Sequence, residues 1–340
     1  MWTRRKSLTG LAAAATLGGV MSARADAPAA SSLKDRLTGD LTPVHDPSII
    51  AADDLFHVFS TSQLAEGKGL IHWRASPDML DWTFIGGVMA EFPKWVTDIL
   101  PDTKGAWAPD ISYVNGRYLL YYAVSTFGSN HSLIGLLSSP TLDNTAADFG
   151  WRDDGLVIQS TKWDDYNAID PNHVIDKDGR HWLAFGSFWS GLKLIELDPT
   201  TNKPKTGAKV LPLAARDRPD AIEAPFIFRH GNFYYLLASY DFCCRGADSS
   251  YYTCVGRAAD ITGPYVDRDG RKLSDGGGTL LLHAKLDPQQ RYKGPGGASV
   301  LQSGDNDIVV YHAYDARNNG MPTLRLQPLA WTADAWPVAV

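Results

Sequence analysis

No stretch of the 340-residue chain approaches the roughly 18 uninterrupted apolar residues of a membrane-spanning helix. The most apolar run, residues 11–20, is short and broken by Thr and Gly. A basic stripe is missing too. Asp and Glu number 38 against 32 Lys and Arg, a net charge of −6, which speaks against nucleic acid or an anionic membrane as partner. Cysteine is scarce: three residues, Cys243 and Cys244 adjacent and Cys254 close behind. No Cys-x-x-Cys spacing marks a zinc site. A Cys243–Cys244 bridge and a bridge from either to Cys254 are both open, and an odd count leaves at least one thiol unpaired in an oxidising compartment. Long amphipathic helical patterns are lacking; only residues 93–100 read as a short helical turn. What the chain has in quantity is Gly (31), Pro (20) and 37 aromatics, 11 of them Trp. That mixture predicts many short strands and many turns.

The first residues read as an address. Arg4, Arg5 and Lys6 precede an Ala/Gly/Leu-rich stretch, and Ala23-Arg24-Ala25 offers a small-x-small cleavage site. The paired arginines resemble a twin-arginine export signal; an ordinary secretory signal is the alternative, and both lead to a periplasmic or secreted protein. Removal of residues 1–25 leaves a net charge of −10. Residues 26–40 are expected to be a flexible lead-in, and 41–340 a single domain.

That domain repeats itself. Five segments share a Pro beside a small or acidic residue, a short apolar strand, a polar turn and an aromatic-rich strand. They start at Pro47, Pro109, Pro171, Pro225 and Pro295, spaced 62, 62, 54 and 70 residues apart. Hairpin turns join the paired strands at Asn115-Gly116, Lys177-Asp178-Gly179, His230-Gly231-Asn232 and Gly304-Asp305. One such unit cannot bury both faces of its sheet, whereas a ring of them does. The expected fold is therefore all-β, a five-bladed β-propeller, with a double sandwich as the rival.

Inner strands line the axis of a propeller, so residues at their starts gather at one mouth of the channel. The repeat is expected to bring Asp46, Asp170 and Glu223 together there at one common phase. Acids beside prolines often only cap turns, and Asp110, which follows its proline, is read that way. Three acids converging on one mouth point instead to chemistry. Mutual repulsion and burial separate one carboxyl held protonated from one kept ionised, the division of labour that glycoside hydrolysis needs.

The strings HDPSII (45–50), WAPDI (107–111), NAIDP (167–171), GSFWSG (186–191), IEAP (222–225), the CCRG…S.Y segment (243–251) and YHAYD (311–315) resemble glycoside hydrolase family 43, and within it the endo-α-1,5-L-arabinanases. They run in order through the whole mature chain. The resemblance implies an inverting enzyme cleaving internal linkages of arabinan, working as a monomer. Asp46 would be the general base, Glu223 the general acid, and Asp170 the residue that orients Glu223 and keeps its pKa raised. Inversion implies an acid-to-base separation of about 6.5–9.5 Å. His312 resembles an axial histidine holding a calcium or sodium ion, mostly through water. Trp107, Phe127, Trp189 and Trp95 are candidates for sugar stacking, and Asn167, Ser187 and Arg245 for polar contacts. Trp82, Trp151 and Trp182 read as blade packing, and His57, His72 and His181 as structural. His45 is open between site and core. The loop GPGGAS (294–299) departs from relatives that carry His after Gly-Pro-Gly, which puts one subsite contact in doubt. An exo-acting α-L-arabinofuranosidase or β-xylosidase of the same family is the alternative activity, and a non-catalytic carbohydrate-binding propeller the alternative class.

Overall fold

Short strands rich in β-branched and aromatic residues bury both faces only by stacking sheet on sheet. The structure, a computed structural model, describes residues 33–303 and 306–340 and does this with five small sheets arranged as a five-bladed β-propeller. The expected export signal and the Gly304-Asp305 turn lie outside the described residues. The innermost strands of blades 1 to 5 are Ser48–Ala52, Gly105–Val114, Asn172–Ile175, Ile222–His230 and Tyr292–Ser303. From each the chain runs outward through antiparallel neighbours; blade 4 continues through Phe233–Tyr240 and Tyr252–Ala258 to Thr279–Leu282. The short helical turn expected at 93–100 is the α-helix Lys94–Ile99. No helix among the described residues is long and apolar enough to cross a membrane.

Burial is divided among the five junctions between blades. Alternation along a strand sends neighbours to opposite faces. Leu120 joins Phe59 and Leu70 between blades 1 and 2, while Leu119 joins Leu183 and Phe185 between blades 2 and 3. Trp182 is buried between blades 3 and 4 and Trp82 between blades 5 and 1, and Trp151 packs against the cluster between blades 1 and 2. The expected packing role of these three indoles holds. His57, His72 and His181 are likewise buried within blades.

Of the supposed flexible lead-in 26–40, the described part is built into the fold. Leu33 is buried among Val58, Val310 and Leu326, and Thr38–Gly39 pairs in parallel with Asp81–Met89. Just beyond, Leu324 N–H donates to the Leu41 carbonyl and Val44 N–H to the Pro322 carbonyl, both at 2.9 Å. An apolar face at the junction of blades 5 and 1 needs covering, and this segment covers it.

One residue in or just before each inner strand has a left-handed backbone: Asp46 (φ 49°), Ala108 (40°), Asp170 (56°), Ala224 (53°) and Gly297 (56°). These five ring the channel. They correct the phase read from the prolines. The fifth repeat aligns at Gly297-Ala298 and not at Gly294-Pro295, and Glu223 stands one residue before its phase-mate Ala224. Two residues further along each strand, a second ring staples blade to blade. Ile111 N–H donates to Ser48 Oγ (3.1 Å), His173 N–H to Asp110 Oδ2 (2.7 Å) and Ile227 N–H to Asn172 Oδ1 (2.8 Å). Ser299 Oγ–H donates to the Pro47 carbonyl (2.7 Å) across the closing junction. Asp110 is thus structural, as expected, and it fastens blades rather than capping a turn.

Candidate active site

A left-handed residue turns its own amide and side chain away from the run of the strand, and such strain persists only where neighbours over-determine it. Here four of the five amides are claimed by side chains. Asp46 N–H donates to His312 Nδ1 (3.0 Å), Ala108 N–H to Thr61 Oγ1 (2.8 Å), Ala224 N–H to Asp170 Oδ2 (3.0 Å) and Gly297 N–H to Ser239 Oγ (3.0 Å). The carboxylates that this arrangement presents open into one cavity of about 740 Å³ at a mouth of the channel.

Asp46, Asp170 and Glu223 all line that cavity, as do Trp107, Phe127, Asn167, Ser187, Trp189 and Arg245. The sequence therefore placed the trio and six of its seven named substrate contacts at one mouth. Trp95 is the exception. Its indole N–H donates to Asp153 (2.9 Å) and its ring packs on the core between blades 1 and 2, because its helix lies over that junction. His45 resolves towards the site: it lines the cavity and its Nδ1 hydrogen-bonds Asp46 Oδ2 at 2.7 Å.

The three carboxyls differ in charge. Burial would push Asp46 up, but His45, His312 and the Thr61 hydroxyl outweigh it and hold Asp46 down at about 2. The two side-chain hydrogen bonds to it, from His45 Nδ1 and Thr61 Oγ1 (2.8 Å), both fall on Oδ2, while His312 Nδ1 lies 3.6 Å from Oδ1. Asp170 is raised well above the usual range by burial and then by the charges of Glu223 and Asp46. Glu223 is raised too, by burial first and by Asp46, against the hydrogen bonds it accepts from Ser187 Oγ and Tyr251 Oη, each 2.7 Å. One acid ionised beside two acids held towards their protonated forms can take a proton from one group and give one to another.

Thr61, Tyr251 and Tyr314 complete the site and escaped the sequence reading. Thr61 follows the second strand of blade 1, Tyr251 sits in a loop of blade 4, and Tyr314 hydrogen-bonds His45 Nε2 (2.7 Å) from blade 5. Hydroxyl-bearing residues carry no repeat signature, although Tyr251 lies in the same segment as the CCRG string. Cys243 and Cys244 form the vicinal bridge and line the cavity, while Cys254 is a buried free thiol pushed up to about 12 by burial. Gly297 is not an emptied subsite. A Cβ there would lie 2.4 Å from Asp46 Oδ1 and 3.0 Å from the His312 ring, so the position backs the carboxylate and has no room for a side chain.

His312 does not face the cavity; it is buried behind Asp46, stacked on His45 with ring centroids 3.6 Å apart. His45, Asp46 and His312 each offer a ligand atom within 4.8 Å of one another, a possible metal site. The fit can be tested on His312. Its Nε2 is buried without a hydrogen-bond partner, the orphan that a bound group would satisfy. Because Nδ1 accepts the Asp46 amide, the neutral ring carries its proton on Nε2, and that proton seeks an oxygen. With Nδ1 engaged and Nε2 protonated, neither nitrogen of His312 is a free ligand, so an ion here would be held through water and the Asp46 carboxylate, as hard cations with oxygen preference allow.

Acids of opposite protonation at one mouth are the pair that glycoside hydrolysis uses. The comparison with known proteins agrees: the chain matches Glycosyl hydrolases family 43 over residues 42–337 and belongs to that family. It is 43% identical over 295 residues to the extracellular endo-alpha-(1->5)-L-arabinanase 1 of Bacillus subtilis (strain 168), covering 86% of this chain and 87% of the relative. It is 38% identical over 306 residues to the extracellular exo-alpha-(1->5)-L-arabinofuranosidase ArbA of Cellvibrio japonicus (strain Ueda107), covering 86% and 85%. Among solved structures it superposes on the Cellvibrio cellulosa alpha-L-arabinanase complexed with arabinohexaose with a TM-score of 0.82, at 37% identity, covering 88% of this chain and 96% of that one.

Proposed function

We propose that the protein is an exported, inverting arabinanase that hydrolyses internal α-1,5-L-arabinofuranosidic linkages of arabinan. The observation that carries the reading is the contrast at one mouth between Asp46, held at about 2, and the raised pair Asp170 and Glu223. In this reading Asp46 is the general base. Its Oδ2 is engaged by His45 and Thr61, which leaves Oδ1 to take the proton of the attacking water. Glu223 is the general acid. As the water oxygen bonds to the anomeric carbon and the glycosidic C–O bond breaks, Glu223 gives its proton to the leaving oxygen. Asp170 positions Glu223 by holding the next amide and shares the proton that keeps it protonated. Trp107, Phe127 and Trp189 supply faces for the sugars' C–H surfaces, and Asn167, Ser187 and Arg245 supply polar edges.

A calcium ion, held through water near His312 and Asp46, would fix the charge behind the base. The relatives named extracellular, together with the Arg4-Arg5 start, support a periplasmic or secreted location. Endo action is supported by the Bacillus subtilis relative. Exo action is the second reading, favoured by the Cellvibrio japonicus relative. Chromatography of the first products from linear arabinan tests both. Mixed oligosaccharides are expected; a single short product from the first minutes would overturn the endo mode, and no products at all would overturn the substrate. Glu223→Gln should abolish turnover and retain oligosaccharide binding, which separates an enzyme from a binding module.

A further inference from the structure

A large indole left in water usually marks a contact surface. Trp163 is 84% exposed, the highest value among the large apolar side chains of the described residues. Its loop is nevertheless held firmly. The Asn130 side-chain amide donates to the carbonyls of Thr161 (3.0 Å), Asp164 (2.9 Å) and Tyr166 (3.2 Å). The Asp164 carboxylate accepts from the Thr161 amide (2.8 Å) and hydroxyl (2.9 Å), and Trp163 N–H donates to Thr161 Oγ1 (3.3 Å). An exposed aromatic on a fixed loop is already ordered, so covering it costs little conformational entropy.

The loop also stands beside the cavity. Asn130 directly follows the segment 125–129 that lines it, and Asn167, where the loop ends, lines it as well. Ser190 N–H, next to the cavity-lining Trp189, donates to the Asp165 carbonyl at 2.9 Å. Aromatic side chains occur on the cavity wall, at its lip and on this loop. Trp107 lies in the cavity, Phe127 meets it edge-on at 6.3 Å and is 79% exposed at the lip, and Trp163 stands on the adjoining loop. The Lys162 ammonium lies over the Trp163 ring at 4.8 Å, and one cation covers only one face.

We propose that Trp163 is an outlying polysaccharide-binding site, where the indole stacks on a sugar of the same chain beyond the units held in the cavity. The inference rests on the arabinan reading above. It assigns to Trp163 a part in holding long substrate and none in the bond-breaking step. A short oligosaccharide that fits within the cavity never reaches the indole, so chain length is the discriminating variable.

The test compares wild type and Trp163→Ala on linear arabinan and on arabinotriose, with Trp163→Phe as a variant keeping an aromatic face. Trp163→Ala is expected to raise KM for arabinan roughly three- to tenfold. Its kcat, its kinetics on arabinotriose and its melting temperature stay at wild-type values, and Trp163→Phe falls in between. Equal KM for wild type and Trp163→Ala on arabinan overturns the inference while leaving the function intact. Equal losses on polymer and trisaccharide also overturn it, since they would show a role inside the cavity or in the fold. Wild type inert on arabinan overturns the functional reading, and the inference falls with it.

Discussion

Asp170 in blade 3 accepts the amide hydrogen of Ala224 in blade 4 at 3.0 Å, and Ala224 is the residue directly after Glu223. One acid thus holds the backbone on which the other stands, across the junction between two blades. The two acids are linked in two ways, by geometry and by charge, since the charge of Glu223 is among the causes that raise Asp170.

Substitutions at Asp170 separate them. Asn keeps an oxygen for the Ala224 amide and removes the charge; Ala removes both. Two buried acids sharing a proton titrate as a pair, with the second proton lost at a raised pH. Asp170→Asn should therefore move the basic limb of the kcat/KM profile to lower pH with moderate loss of rate, while Asp170→Ala loses activity across the profile. A pH–rate series on both variants is the check; an unmoved basic limb in Asp170→Asn would refute the shared proton.

Tyr251 should act with the opposite sign. Its hydroxyl donates to Glu223 Oε1 at 2.7 Å, a bond that favours the ionised acid. Tyr251→Phe is expected to shift the basic limb upward and to lower kcat about 10- to 100-fold, the scale of a hydrogen bond to a charged group.

Gly297 is the position where sequence comparison suggested a missing side chain. Gly297→Ala places a methyl 2.4 Å from Asp46 Oδ1 on a backbone with φ of 56°. The carboxylate has to move, and a displacement of about 1 Å at a reacting group costs on the order of 100-fold in rate. Loss of kcat with little change in KM is expected; full activity would show that the base tolerates displacement.

Asp110 gives a stability prediction. Burial, working against hydrogen bonds from the His173 amide, Asn172 and Ser48, raises it from 3.8 to about 7. A raised carboxyl holds its proton more tightly in the folded state, so its stabilising contribution is full below 3.8 and is lost as pH rises to about 7. Asp110→Asn should flatten that decline. It also turns an amide donor towards groups that donate, so a cost of about 1–3 kcal/mol, several degrees of melting temperature, is expected throughout. Thermal melts from pH 4 to 8 read both effects.

The proposed calcium is tested by chelation. Melting temperature and kcat should fall after treatment with a chelator and return with added calcium; no change in either would remove the ion from the reading. His312→Ala should abolish the response.

How far the sequence reached is clearest at Asp46 and Asp170. They occupy the same step of the repeat as Ala108, Ala224 and Gly297, so counting along the chain located them. Counting mislocated Glu223 by one residue and the fifth blade by three, because both repeats contain more than one residue capable of marking the phase. Thr61 was not legible, and Tyr314, although inside the string 311–315, was assigned no role. They come from outside the inner-strand motif, and only the packing of blade on blade brings them to Asp46 and His45.

The sequence by itself determined the ring of five sheets and the gathering of acids at its mouth, since both follow from a period and from the need to cover sheet faces. It also determined which aromatics had somewhere to be buried, apart from Trp95. The protonation of each acid was decided by tertiary structure alone. Burial pushes all three carboxyls in one direction, and only the arrival of His45, His312 and Thr61 at one of them, from the neighbouring residue, another blade and a separate strand end, reverses the sign.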